Sequence, residues 1–195
     1  TVWTMDYRYS ETDSSGTASD STNQFITLGA EHRFSPSSVL AVKAGMQLRE
    51  VADGEDENSP FAEVAIRTRL NERLSLRSFA RYSIEDYGTS FEDFTYDNNS
   101  TLRVGVSADY MISPDLSLQG GANVILMDMQ DGRSDTIDPV PDAQTDLLNL
   151  YLGFSYKVND VFYLTGSYNW TDSDSDLDNR TYDRNRVSLG LRAEF

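Results

Sequence analysis

The chain has 195 residues, no cysteine, and 32 acidic against 16 basic side chains, giving a formal net charge of −16. Disulfides and thiolate metal sites are thereby excluded, and an acidic balance argues against nucleic acid as a partner, because phosphate contacts need clustered Lys and Arg. Hydrophobic residues make up 38% and no run approaches the roughly 18–20 apolar residues of a membrane helix. A membrane β-barrel survives that test, since its strands show lipid with only every second residue.

Taken in chain order, ten runs alternate apolar and polar residues with period two, the pattern of a half-buried strand. In the first, Trp3, Met5, Tyr7 and Tyr9 share one face and Asp6 and Arg8 the other. The second sets Ile26, Leu28, Ala30, His32 and Phe34 against Phe25, Thr27, Glu31 and Arg33. The third opposes Leu40, Val42, Met46 and Leu48 to Lys43, Gln47 and Arg49, and the fourth opposes Val64, Ile66 and Leu70 to Glu63, Arg67 and Arg69. In the fifth, Leu74, Leu76, Ala80 and Tyr82 face away from Arg77, Phe79 and Arg81. The sixth places Leu102, Val104, Val106 and Tyr110 against Arg103 and Asp109, and the seventh places Leu116, Leu118 and Val124 against Ser117, Gln119 and Asn123. The eighth (Leu148 to Tyr156), ninth (Phe162 to Trp170) and tenth (Val187 to Phe195) repeat the pattern, with Lys157, Arg186 and Arg192 on polar faces.

The connections alternate as well. Short ones, such as Ser35-Pro36-Ser37, Asn71-Glu72-Arg73, Ser113-Pro114-Asp115 and Val158-Asn159-Asp160, exchange with long acidic ones at 11–23, 50–60, 85–100, 128–146 and 172–184. Long loops gathered at one end are expected of a bacterial barrel with short periplasmic turns and longer extracellular loops. Apolar-face aromatics collect at both run ends: Trp3, Phe34, Tyr110, Tyr156, Phe162 and Phe195 towards the short turns, Tyr9, Tyr82 and Trp170 towards the long loops. Two such belts are expected where rings meet the headgroups. The pattern therefore predicts an all-β, antiparallel up-and-down transmembrane β-barrel of about ten strands, with both termini periplasmic. No secretory leader precedes the first run, so the chain is read as mature or truncated.

The last run, Val187-Ser-Leu-Gly-Leu-Arg-Ala-Glu-Phe195, resembles the C-terminal strand of bacterial outer-membrane proteins, which ends in Phe. The segment Leu28-Gly-Ala-Glu-His-Arg-Phe-Ser-Pro-Ser-Ser-Val-Leu40 is similar to β-barrel porins. This resemblance implies a Gram-negative outer-membrane location and recognition by the barrel-assembly machinery. Lipid bilayer and lipopolysaccharide then follow as surroundings. Such porins are generally longer, so residues 1–195 are expected to form one barrel domain or the C-terminal part of a larger one.

The polar faces carry Arg33, Lys43, Arg49, Arg67, Arg69, Arg77, Arg81, Arg103, Arg186 and Arg192 against few acids, so the lumen is expected to be net positive. The leading expectation is a structural barrel or narrow porin-like channel with an Arg-lined, anion-favouring interior. Glu31, Glu63 and Asp109 could instead neutralise it by pairing with neighbouring arginines. The alternative is a surface interaction or assembly protein whose acidic loops contact partners, self-associate or bind divalent cations. Asp172, Asp174, Asp176 and Asp178 alternate as in half of a calcium loop, but Leu177 stands where such a loop needs Gly. Asp53 to Glu57 is a similar acidic stretch. No resident cofactor is expected, Ca²⁺ at the acidic loops being the sole candidate. Catalytic residues are not expected either: the one histidine, His32, lies on an apolar face, and no nucleophile, base and orienting group come together.

Overall fold

The computed structural model describes residues 1–13, 20–51, 57–84, 95–133, 140–177 and 180–193. Ten strands follow in chain order: β1 (Val2–Thr12), β2 (Ser21–Ser35), β3 (Ser38–Val51), β4 (Glu57–Arg69), β5 (Leu74–Ile84), β6 (Thr95–Ser113), β7 (Leu116–Arg133), β8 (Ala143–Lys157), β9 (Phe162–Ser175) and β10 (Tyr182–Ala193). Each pairs antiparallel with the next in one sheet, from β1 to β10. The two end strands are edges, not paired with each other among the described residues.

Short turns are built by side chains that accept from the backbone ahead of them. Asn71 Oδ1 accepts from the Arg73 and Leu74 amides at 2.8 and 2.9 Å, and Asn159 Oδ1 does the same for Val161 and Phe162 at 2.9 and 2.8 Å. These Asx-type turns explain the tight connections at one end.

At the other end the strands outrun the apolar alternation. β6 and β7 have 19 and 18 residues, about twice the ~9–11 that cross a bilayer. Part of each expected long loop, such as Thr95–Ser100 and Asp128–Arg133, is therefore strand. The cause is that ladder pairing is a backbone property and continues where side chains have turned polar. A small core forms there from Tyr96, Met129 and Ala143, with Val140 and Leu177 against it. The Tyr96 hydroxyl donates to the Pro141 carbonyl at 2.8 Å. Burial, then the charges of Asp142 and Asp176, hold its pKa above the usual tyrosine value.

Along β2, Ser21, Asn23, Phe25, Thr27 and Gly29 are buried while Ile26 and Leu28 are exposed. The sheet is therefore inverted relative to a soluble sandwich, with its polar face concave and its apolar face outside. Trp3 and Leu189 are 80% and 76% exposed on the outer face, whereas the polar Gln47 and Thr101 are 1% and 0% exposed. Such an outer band is stable against hydrocarbon and costly against water. Of the expected aromatic belts, Trp3, Phe34, Tyr110, Tyr156, Phe162 and Tyr9 are exposed, and Tyr82 and Trp170 are half-buried. Phe195 lies outside the described residues. His32 accepts or donates a 2.8 Å hydrogen bond with the Thr1 hydroxyl at the short-turn end.

Candidate functional site

The concave face is the place where this fold can handle a polar solute. Strand alternation puts every basic residue singled out above on that face, and the register decides which of them meet. One cross-strand row runs Arg33, Val39, Arg67, Arg77, Ser107, so Arg67 and Arg77 are direct neighbours on β4 and β5. The same row ends at Arg186 on β10, opposite Asn169. A second row runs Lys43, Glu63, Arg81, Arg103, which makes Arg81 and Arg103 direct neighbours on β5 and β6. Arg69 lies opposite Ser75, and Arg192 opposite Tyr163, both near the short-turn end. Arg49 stands apart, buried at the loop end opposite Asn23.

Among the described residues, no carboxylate pairs with Arg67, Arg69 or Arg77 on this surface. Lys43 Nζ pairs with Asp6 at 3.1 Å, but Glu31, Glu63 and Asp109 form no ion pair among the described residues. The expected salt-bridged interior is absent for these three acids, because the register sets Asp109 opposite Ser75 and Gln119, and Glu31 opposite Val2 and Ala41. Glu63 has Lys43 and Arg81 as row neighbours and still forms no bridge. At the short turns, by contrast, Lys157 Nζ donates to Asp160 at 2.7 Å, and this bond with its charge lowers the Asp160 pKa.

Aromatic faces hold four of the arginines. Arg8 stacks over Phe25 at 3.9 Å, Arg81 over Phe61 at 5.5 Å, Arg77 over Phe79 at 5.8 Å and Arg192 over Tyr163 at 4.9 Å. Phe25 and Phe61 meet edge to face with centroids 5.8 Å apart. A ring face attracts a guanidinium without cancelling its charge, so Arg8, Arg77 and Arg81 are held in place and remain electropositive. The sequence signal for these stacks was a phenylalanine at a polar-face position, visible at Phe25 and Phe79. Phe61 lay ahead of the alternation and was missed. Gly105 leaves the room Phe79 needs, since a Cβ there would lie 2.6 Å from its ring.

Exposure differs between the two ends of the concave face. Gln47, Ser83, Asn99, Thr101 and Thr145 are buried at the loop end, while Arg67, Arg69, Arg77, Asp109 and Gln119 are exposed towards the short turns. Gln47 explains part of the narrowing. Its side-chain amide donates to the Ile84 carbonyl at 2.9 Å and accepts from the Ile84 amide at 3.0 Å, tying β3 to β5 past the top of β4. It also donates to Asn23 Oδ1 at 2.9 Å. The interior is thus packed at one end and open at the other.

The acidic residues are arranged differently. Asp172, Asp174 and Asp176 are exposed at alternate positions, in a line along one side of β9 and beyond it. Asp178 and residues 53–56 lie outside the described residues. Among the described residues, no three or more His, Cys, Asp or Glu converge to hold a metal ion.

Comparisons agree with this architecture. Residues 56–194 match the family model described as "Putative outer membrane beta-barrel porin, MtrB/PioB". No curated protein sequence matches the chain. Among solved structures it is similar to the alcaligin outer membrane receptor FauA of Bordetella pertussis, with a TM-score of 0.65 and 16% identity over 98% of this chain and 35% of that one. It is similar too to the outer membrane channel DcaP of Acinetobacter baumannii, with a TM-score of 0.57 and 14% identity over 92% of this chain and 60% of that one. A porin structure gives a TM-score of 0.54 and 16% identity over 93% of this chain and 60% of the porin. At these identities the likeness shows the fold, and this chain spans between 35% and 60% of those three proteins.

Proposed function

The chain belongs to the MtrB/PioB family of outer-membrane β-barrel porins, and from that premise we propose that it walls an aqueous passage favouring anions. The family places it in the bacterial outer membrane. In this proposal the short turns and both termini face the periplasm and the acidic loop ends face outward, as in other bacterial barrels. The observation that carries the reading is two pairs of arginine neighbours, Arg67–Arg77 and Arg81–Arg103, on one concave face. Like charges directly opposite across a ladder destabilise a sheet. No described carboxylate bridges Arg67 or Arg77, so mobile anions are left to neutralise them. The low-dielectric wall behind them strengthens that attraction.

Planar-bilayer recording of the refolded protein in asymmetric salt tests the passage. Anion selectivity is expected, and it should fall towards none when Arg77, Arg81 and Arg103 are each changed to Ala. Unchanged selectivity in all three variants would contradict the role of the basic rows.

We further propose that these ten strands are one sector of a wider wall. The open edges support this, as does the exposure of every described residue of β1 and β10 on both faces. The chain has no cysteine, so paired cysteines report closure directly. A cysteine at Asp6 combined in turn with one at Arg186, Ser188 or Gly190 is expected to form no intramolecular disulfide in the folded state. Rapid cross-linking in any of these pairs would show β1 beside β10 and close the ring at ten strands.

A further inference from the structure

We infer that the wall carries a hinged seam at its loop end. Above Ala62 and Tyr82 the end of β5 parts from β4, and the Gln47 side chain is the clasp that holds the two together. The seam is a property of the wall itself, whatever lies against the concave face.

The ladder between β4 and β5 stops early. Its last pair among the described residues is Ala62–Tyr82. The ladders on either side continue past that level, β3–β4 to Arg49–Glu57 and β5–β6 to Ile84–Ser100. The phase of the hydrogen bonds explains the break. At the short turn the Leu70 amide donates to the Leu74 carbonyl at 2.9 Å. Alternate pairs of an antiparallel ladder exchange both bonds, so here the even-numbered residues do so. That register, continued, sets Pro60 opposite Ile84 in an exchanging pair. Proline has no amide hydrogen and cannot donate to the Ile84 carbonyl. On its other side Pro60 faces Met46. There the odd-numbered residues of β4 carry the ladder, as the Arg69 amide shows by donating to the Ser37 carbonyl at 2.8 Å. Proline is thus tolerated by β3 and breaks the pairing with β5.

Gln47 of β3 supplies the missing rung from two strands away. Its Nε2 donates to the Ile84 carbonyl at 2.9 Å and its Oε1 accepts from the Ile84 amide at 3.0 Å. Those are the two bonds that a residue other than proline would make from position 60. The Pro60 carbonyl, left over, accepts from the Ser59 hydroxyl at 3.5 Å. Next to the clasp Ser83 is fully buried, and its hydroxyl has no partner among the described residues. A buried hydroxyl without a partner favours a state in which it meets water. The odd-numbered residues of β5 bond to β6, as the Met111 amide does to the Arg73 carbonyl at 2.8 Å. Ser83 therefore stays with β6 when the seam opens, and the Ala62–Tyr82 pair is the hinge. One side chain, in place of a ladder, holds this part of the wall shut, which is the condition for local opening below the cost of global unfolding.

The chain has no cysteine, so the rate at which a water-soluble maleimide labels a single introduced cysteine reads the seam in the refolded full chain. Ser83→Cys is expected to label slowly. Adding Gln47→Ala should raise that rate about tenfold or more, as the loss of two net hydrogen bonds implies. Pro60→Val restores an amide donor, and combined with Gln47→Ala it should bring the rate back towards the parental one. Thr145→Cys on β8 is the control for general loosening, since Thr145 is buried in the same cross-strand row and lies away from the seam. It should label slowly in every background. An unchanged rate at Ser83→Cys after Gln47→Ala, or an equal rise at Thr145→Cys, would overturn the seam. A rise that Pro60→Val does not reverse would overturn the missing rung as its cause. Should Gln47→Ala fail to refold, Pro60→Val alone decides: slower labelling at Ser83→Cys is expected, and an unchanged rate would overturn the inference.

Discussion

Val106→Arg is expected to destabilise the folded protein by ~2–4 kcal/mol in lipid vesicles, the cost of an arginine on the lipid face near the bilayer midplane. Val106 sits midway along the outward series Leu102, Val104, Val106, Ala108, Tyr110, Ile112 of β6 and is exposed on the apolar side. Its cross-strand neighbours are Ser78 and Ala122, too short to offer a charged side chain a partner. The matched change Gln119→Arg puts the same residue on the concave side, opposite Asp109. That variant is expected to stay within about 0.5 kcal/mol of the parent, as exposed substitutions usually do. Urea titration of both variants reads the contrast. Equal, small effects would mean that the apolar face meets water, and the membrane orientation would fail.

Gly45→Val is expected to cost as much or more, at or above the upper end of the ~1–3 kcal/mol typical of overpacking. Gly45 pairs with Thr27 across β2 and β3. A Cβ at this position would overlap the Ile26 carbonyl oxygen and would lie 2.7 Å from Thr27 Cα and 2.9 Å from Ile26 C. Those are backbone atoms, so relief requires shifting the strand, and the Phe25–Phe61 contact on the same face would move with it. Gly190→Ala makes a useful contrast, because its new Cβ would meet only the Thr165 hydroxyl at 3.0 Å, a side chain that can rotate. Loss of refolding yield with Gly45→Val and near-parental yield with Gly190→Ala is the expected pair of results. Parental stability of both would show that β2 and β3 are less closely apposed than the structure places them.

The sequence made the membrane-spanning part of this fold legible because period-two alternation is a direct consequence of a sheet with two different solvents. Leu102 to Tyr110 shows it plainly, and the short turns at Asn71 and Asn159 punctuate it. Beyond the outer headgroups both faces are polar, the alternation disappears, and the continuing strands at Thr95–Ser100 and Asp128–Arg133 looked like loop. Which arginines stand on the concave face followed from parity alone. Which of them are neighbours did not, because the Arg67–Arg77 and Arg81–Arg103 pairings depend on inter-strand register, which no single strand encodes. The Arg–Phe stacks and the Gln47–Ile84 tie escaped for a related reason: they join side chains from strands that are not sequence neighbours. Strand parity demands an even number, which ten strands and a wider barrel satisfy alike.

The apolar band faces outward between two interfaces, and the chain's two tryptophans sit at its opposite ends. Trp3 is on β1 near the short turns and Trp170 is on β9 near the loop ends. Trp3→Phe and Trp170→Phe proteins, each with one remaining indole, would be refolded into vesicles whose lipids carry bromine at defined depths. Both indoles are expected to be quenched most by bromine near the ester carbonyls and less by bromine at the bilayer centre. Absence of lipid quenching, or a maximum at the bilayer centre for either tryptophan, would contradict an apolar face that spans the bilayer between two interfaces.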